Sequence, residues 1–211
     1  MAETPEAPAP EGASHRLFFA IDLPRPLKDR INELVKRLDT AGTFTGANPK
    51  WVSDDNFHIT LWFIGNVDSS TTGRLKAEMR KAVRGVAPFT LDLRHLGYFP
   101  TERDPSVLWL GAKSTPAPLS LLRTNLAAAI RKSGVVLPVE QKFTPHVTLA
   151  RLRGTRHLHD FTRMMENYRH AHAGTCEVRE VVLMESHLRP GGAEYRPYAT
   201  QPFPDPEPPE S

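Results

Sequence analysis

The chain has 211 residues, 24% of them charged and 39% hydrophobic, with a formal net charge of +3 and one cysteine. That is enough chain for one domain with a sizeable core or two small lobes. Cys176 has no partner for an internal disulfide or a zinc cluster, and no apolar run approaches the roughly 20 residues of a membrane span.

Residues 1–14 and 202–211 hold eight of the 20 prolines and six acids, with no Lys or Arg. Without apolar periodicity, both read as disordered tails flanking one domain over 15–201. Setting the tails aside raises the formal charge from +3 to 3 + 6 = +9, which suits a polyanionic partner such as RNA. The N-terminus is acidic and proline-rich, unlike a signal peptide, so a cytoplasmic location is expected.

In chain order, Arg16–Leu23 is a compact apolar run ended by Pro24, a buried strand. Leu27, Ile31, Leu34, Val35 and Leu38 then recur at helical spacing, and Gly42 follows. Residues 42–56 read as loop. Phe57–Gly65 is a β-branched and aromatic strand. Asp68 or Ser69 caps a second helix reaching about Gly85. Phe89–Leu96 alternates as a half-exposed strand, 97–105 reads as a turn, and Val107–Leu110 as its hairpin partner. Pro116 and Pro118 open a third helix closed by Gly134. A strand over 145–152, a helix over 157–170, and strands 175–187 and 194–200 joined by Arg189-Pro-Gly-Gly192 complete the chain. Helices mixed with antiparallel strand pairs favour α+β.

Two strands repeat one pattern 146 − 58 = 88 positions apart: His58-Ile-Thr-Leu61 and His146-Val-Thr-Leu149. Alternation puts His58 with Thr60, and His146 with Thr148, on one face of each strand. Two imidazoles facing one cleft form an acid/base pair at neutral pH, since each has an ordinary pKa near ~6.5. The threonine hydroxyls suit phosphate oxygens that gain charge in a transition state. Arg151 would add a charge-assisted contact, but its opposite parity from His146 brings it to the site only if the strand bends or ends there. Trp62 shares the parity of His58, to stack on a base or to pack. One of Phe18 and Phe19 faces the cleft, and alternation leaves open which. The other histidines show no metal-ligand spacing.

With these motifs, Arg16–Pro24, Trp51-Val52, Phe63-Ile-Gly65, Gly97–Pro100, Val107–Gly111, Phe143–His146 and Leu188–Gly192, the sequence resembles the 2H phosphoesterases. Within them it is most similar to the RNA 2′,3′-cyclic phosphodiesterases, also called 2′-5′ RNA ligases. The resemblance implies a two-lobed α+β fold, with antiparallel sheets backed by helices and a central cleft. It implies hydrolysis of RNA 2′,3′-cyclic phosphate ends, or of small cyclic phosphate nucleotides, to 2′-phosphomonoesters without a cofactor; the acid/base chemistry needs no metal, and a monomer is expected because each chain should carry a complete site. His58 would be the proton donor and His146 the proton acceptor, with Thr60, Thr148 and Arg151 binding substrate. The alternatives are 2′-5′ ligation or cleavage by the same residues, and a non-catalytic RNA- or nucleotide-binding module.

Overall fold

The computed structural model describes residues 14–40, 49–101, 104–138, 143–153, 159–190 and 192–204. Its framework is one antiparallel sheet: β1 (Ser14–Asp22), β2 (Lys50–Trp51), β3 (His58–Asp68), β4 (Phe89–Thr101), β5 (Asp104–Ala112), β6 (His146–Arg151), β7 (His172–Val178), β8 (Glu180–Arg189) and β9 (Gly192–Pro202). The strand order is β7-β4-β5-β6-β3-β1-β8-β9, with β2 paired to β6. The sheet curls enough for Phe89, at the start of β4, to stack on Phe203, just past β9, at 5.9 Å.

Among the described residues four α-helices complete the α+β architecture: α1 (Arg25–Thr40), α2 (Ser69–Ala82), α3 (Ala117–Lys132) and α4 (His159–Asn167). The predicted apolar stripe of α1 is buried along its length. Asp68 caps α2 by accepting a hydrogen bond from the Thr71 amide. None of the described helices is long and apolar enough to cross a membrane. Leu17, Phe19 and Ile21 of β1 join Ile59, Leu61 and the helix stripes in one large core. A fully buried side chain of this kind contributes about 1.5–3 kcal/mol. On the opposite, concave face a small cluster of Phe18, Ala20, Val182 and Met184 packs with Tyr195.

Several expected boundaries change. The run read as one strand over 175–187 is two strands, because β7 pairs with β4 while β8 pairs with β1. The chain must change halves of the sheet between them, at Arg179. The turn read over 97–105 is largely strand, since β4 continues to Thr101 and pairs with β5 through Asp104. Within the expected loop 42–56, Lys50 and Trp51 pair with Arg151 and Ala150. Packing also extends past the expected domain limits, as Ser14 pairs with Asp68 and Phe203 is buried. Residues 1–13, 205–211 and 157–158 lie outside the described residues.

The two halves of the sheet, β3-β1-β8-β9 and β6-β5-β4-β7, meet where Ile59 pairs with Val147, both fully buried. Ile59→Ala is expected to cost about 2–5 kcal/mol by denaturant unfolding, because a cavity at this seam cannot collapse without moving one half. A loss below about 1 kcal/mol would show that the seam does not hold the halves together.

Candidate active site

The seam places the two repeated motifs side by side. An antiparallel register through Ile59 and Val147 sets His58 across from Thr148 and Thr60 across from His146. The four side chains that the sequence singles out therefore gather on one concave face, each half-buried.

Both imidazoles are oriented in the same way. His58 Nδ1 is 2.7 Å from the carbonyl oxygen of Asn56, and His146 Nδ1 is 2.7 Å from that of Thr144. A carbonyl only accepts, so each Nδ1 carries the proton and donates it. In the neutral rings this leaves Nε2 as the free acceptor. Thr60 Oγ1 lies 3.0 Å from His58 Nε2 and donates to it.

Burial dominates the electrostatics of both rings by disfavouring the charged form. It lowers His58 from the ordinary 6.5 to about 4, opposed by the Asn56 hydrogen bond and by the Asp22 carboxylate, with Lys28 and His146 adding to the depression. Burial also holds His146 below 6.5, against the hydrogen bond to Thr144. Asp22 is the register partner of His58 across β1–β3 and lies 2.8 Å from the buried Lys28 ammonium.

Each histidine also sits among aromatic rings. Phe18 and Tyr195 have centroids 5.0 Å from that of His58, while Phe99 and Trp109 lie 5.1 and 5.8 Å from that of His146. Between the two phenylalanines left open by alternation, Phe18 faces the cleft and Phe19 is in the main core.

Strict alternation fails at the same point in both motifs. Across β1–β3, Ala20 pairs with Thr60 and Phe19 with Trp62, so Leu61 is an extra, bulged residue. Across β5–β6, Trp109 pairs with Thr148 and Leu108 with Ala150, so Leu149 is extra in the same way. Each bulge reverses the facing of the residues after it. Trp62 is thereby turned from the histidine face into the core, 7% exposed, with its Nε1 donating to the Arg123 carbonyl. Arg151 is turned the other way. It lines a cavity with Asn56 and Tyr195, the same residues that hold and flank His58. The bend that Arg151 needs is thus present, and the shared face expected for Trp62 is not.

Tyr195, Phe99 and Trp109 were not singled out by the sequence. The available signal was a pair of glycines. Trp109 lies against Gly97 and Gly111, where added Cβ atoms would come within 2.1 and 2.6 Å of the indole. Among the described residues no group of three His, Cys, Asp or Glu side chains gathers as metal ligands.

The curled sheet and the paired His-x-Thr motifs are those of a 2H phosphoesterase. Residues 23–190 match the 2′-5′ RNA ligase superfamily, and the chain belongs to that family. An RNA 2′,3′-cyclic phosphodiesterase of Methanothermobacter thermautotrophicus is 32% identical over 180 residues, covering 85% of this chain and 94% of the relative. The protein of that name from Aeropyrum pernix is 34% identical over 160 residues, 76% of this chain and 89% of its own. Escherichia coli LigT crystallised with 3′-AMP superposes with a TM-score of 0.69 at 27% identity, covering 90% of this chain and 99% of that one.

The glycine seat of Trp109 is directly testable. Gly97→Ala should force the indole aside, lowering stability by about 1–3 kcal/mol and altering tryptophan emission. If spectrum and stability both stay unchanged, the glycine is not what admits the ring.

Proposed function

We propose that the protein hydrolyses RNA 2′,3′-cyclic phosphate ends to 2′-phosphomonoesters, with His58 as acid and His146 as base. The observation that carries this reading is the meeting of two His-x-Thr strands at one seam. There both imidazoles are fixed through Nδ1, which leaves both Nε2 atoms for the substrate. Relatives named RNA 2′,3′-cyclic phosphodiesterase, and LigT crystallised with 3′-AMP, support the choice of substrate.

In the reaction, His146 Nε2 takes a proton from water as the water oxygen bonds to phosphorus. The bond from phosphorus to O3′ breaks, and His58 Nε2 delivers its proton to that oxygen. The products are a 2′-phosphate and a free 3′-hydroxyl. Thr60 and Thr148 donate to the phosphoryl oxygens, and their hydrogen bonds strengthen as charge develops. Arg151 adds a cation on the side of the cleft that its bulge opens. A chain carrying both motifs holds a complete site, so a monomer suffices.

The assignment of His58 as acid and His146 as base follows the resemblance to the RNA 2′,3′-cyclic phosphodiesterases. The Asp22 carboxylate paired across from His58 favours its cation, although burial outweighs it. No carboxylate acts on His146 in this way among the described residues.

Incubation with an RNA ending in a 2′,3′-cyclic phosphate, in the presence of EDTA, should yield a 2′-phosphate end. His58→Ala and His146→Ala should each lower kcat by about 10²- to 10⁴-fold while the fold is retained. Near-full activity in either variant would exclude the two-histidine mechanism.

The pH dependence follows from burial. In the free enzyme His58 holds its proton only near and below about pH 4, and His146 titrates below 6.5. Since kcat/KM reports free-enzyme ionisations, its bell should peak below pH 6.5. A bound phosphodiester anion stabilises the imidazolium and raises the pKa of His58, so the kcat optimum should lie at higher pH. A kcat/KM optimum above pH 7, or a kcat optimum displaced to lower pH, would contradict this.

A further inference from the structure

A cavity of about 420 Å³ opens past Arg151, at the end of β6 away from the histidine. Its volume is within the range of small-ligand sites. Its cations are Lys50, Arg151, Arg153 and Arg189, and its single carboxylate is Glu194. That carboxylate is already engaged. Its Oε1 accepts from Arg196 at 2.8 and 3.0 Å, and its Oε2 lies 3.6 Å from Arg189 Nε. Among the described residues Lys50, Arg151 and Arg153 have no carboxylate partner.

Like charges gathered without counter-charge repel one another, and a concave wall focuses their field on whatever anion enters. The chain builds this gathering from separate segments. Lys50 arrives on β2, Arg151 is turned inward by the Leu149 bulge, Arg153 follows β6, and Arg189 ends β8. The cavity is also continuous with the cleft, because Asn56 and Tyr195 belong to both.

A substrate held by a 2′,3′-cyclic phosphate has both of those ribose oxygens occupied. The rest of an RNA chain therefore leaves through the 5′ oxygen, and every further phosphate lies on that side. We infer that Lys50, Arg153 and Arg189 bind the internucleotide phosphates just upstream of the cyclic end, so that the protein selects RNA chains over cyclic mononucleotides. This rests on the cyclic phosphodiesterase reading. The three residues are additional to Arg151 and make no contact with the reacting phosphate.

The test compares kcat/KM for adenosine 2′,3′-cyclic phosphate with that for a trinucleotide ending in the same cyclic nucleotide. Both are measured with the wild type and with the Lys50→Ala, Arg153→Gln, Arg189→Gln triple variant. The wild type should favour the trinucleotide. The variant should lose about tenfold or more on the trinucleotide, as for lost charge-assisted contacts, and nothing on the mononucleotide. A wild type without chain preference, a variant that keeps it, or equal losses on both substrates would overturn the inference while leaving hydrolysis established. Inertness of the wild type toward both substrates would instead defeat the functional reading. Binding of a 3′-phosphorylated trinucleotide, followed by anisotropy across salt concentrations, then decides the cavity separately. Weaker binding by the variant, with a log–log salt slope shallower by about 0.7 per lost phosphate contact, supports it. Unchanged affinity and slope overturn it.

Discussion

The seam where Ile59 pairs with Val147 is the constraint on which the site depends. Two half-sheets meet there, and both motifs are centred on it. Because the strands run antiparallel, each imidazole is brought opposite the other strand's threonine. The bulges at Leu61 and Leu149 then increase the local twist just past each threonine, as extra residues in a ladder do. Strands that part beyond a short junction leave a cleft between them, and the two His-x-Thr segments are what line its base. The carbonyl oxygen of the bulged Leu149 accepts from the Val52 amide, which ties the β2 segment to the distorted strand.

Within that frame the backbone itself orients the two imidazoles. A carbonyl two residues before each histidine fixes the proton on Nδ1, so no carboxylate is required to choose the tautomer. The aromatic neighbours have the opposite electrostatic sense. Phe18 and Tyr195 around His58 exclude water and press its pKa down, which makes its cation costly in the absence of an anion. Under the proposed function, a phosphodiester entering the cleft would raise that pKa, and the substrate's own charge would complete the acid that expels its leaving group.

The paired motifs, the helix stripes of α1 and α3 and the α+β class were legible in the sequence because each rests on local periodicity or repetition. The places where the reading departed from the structure are places where periodicity is broken. Counting residues in twos through Leu61 and Leu149 puts Trp62 on the histidine face and keeps Arg151 from it. Nothing in His-x-Thr-Leu marks a bulge, since leucine is an ordinary strand residue. The division of 175–187 at Arg179 was invisible for a related reason: which strand a segment pairs with is a property of its partners. Tyr195 and Phe99 reach the site through pairings that no local pattern encodes. The glycines around Trp109 did carry information, though only as a request for space, without naming what would fill it.

The two motifs share a register, a hydrogen bond and a bulge, so their divergence has to come from the residues the bulges redirect. Five positions after His146 the redirected residue is Arg151. Five positions after His58 it is Phe63, half exposed, with the Arg16 guanidinium 5.1 Å from its ring centroid. The same backbone device therefore delivers a cation at one end of the cleft and an aromatic ring at the other. A nucleotide is asymmetric in the same sense, carrying phosphate on one side and a flat apolar base on another. The symmetric frame presents equivalent hydroxyls at its centre, and the unequal residues beyond the bulges give the cleft a direction. With Lys50, Arg153 and Arg189 beside Arg151, against Arg16 at the Phe63 end, the cation density is greater on the Arg151 side, and a polyanion bound as proposed would lie with its phosphates there.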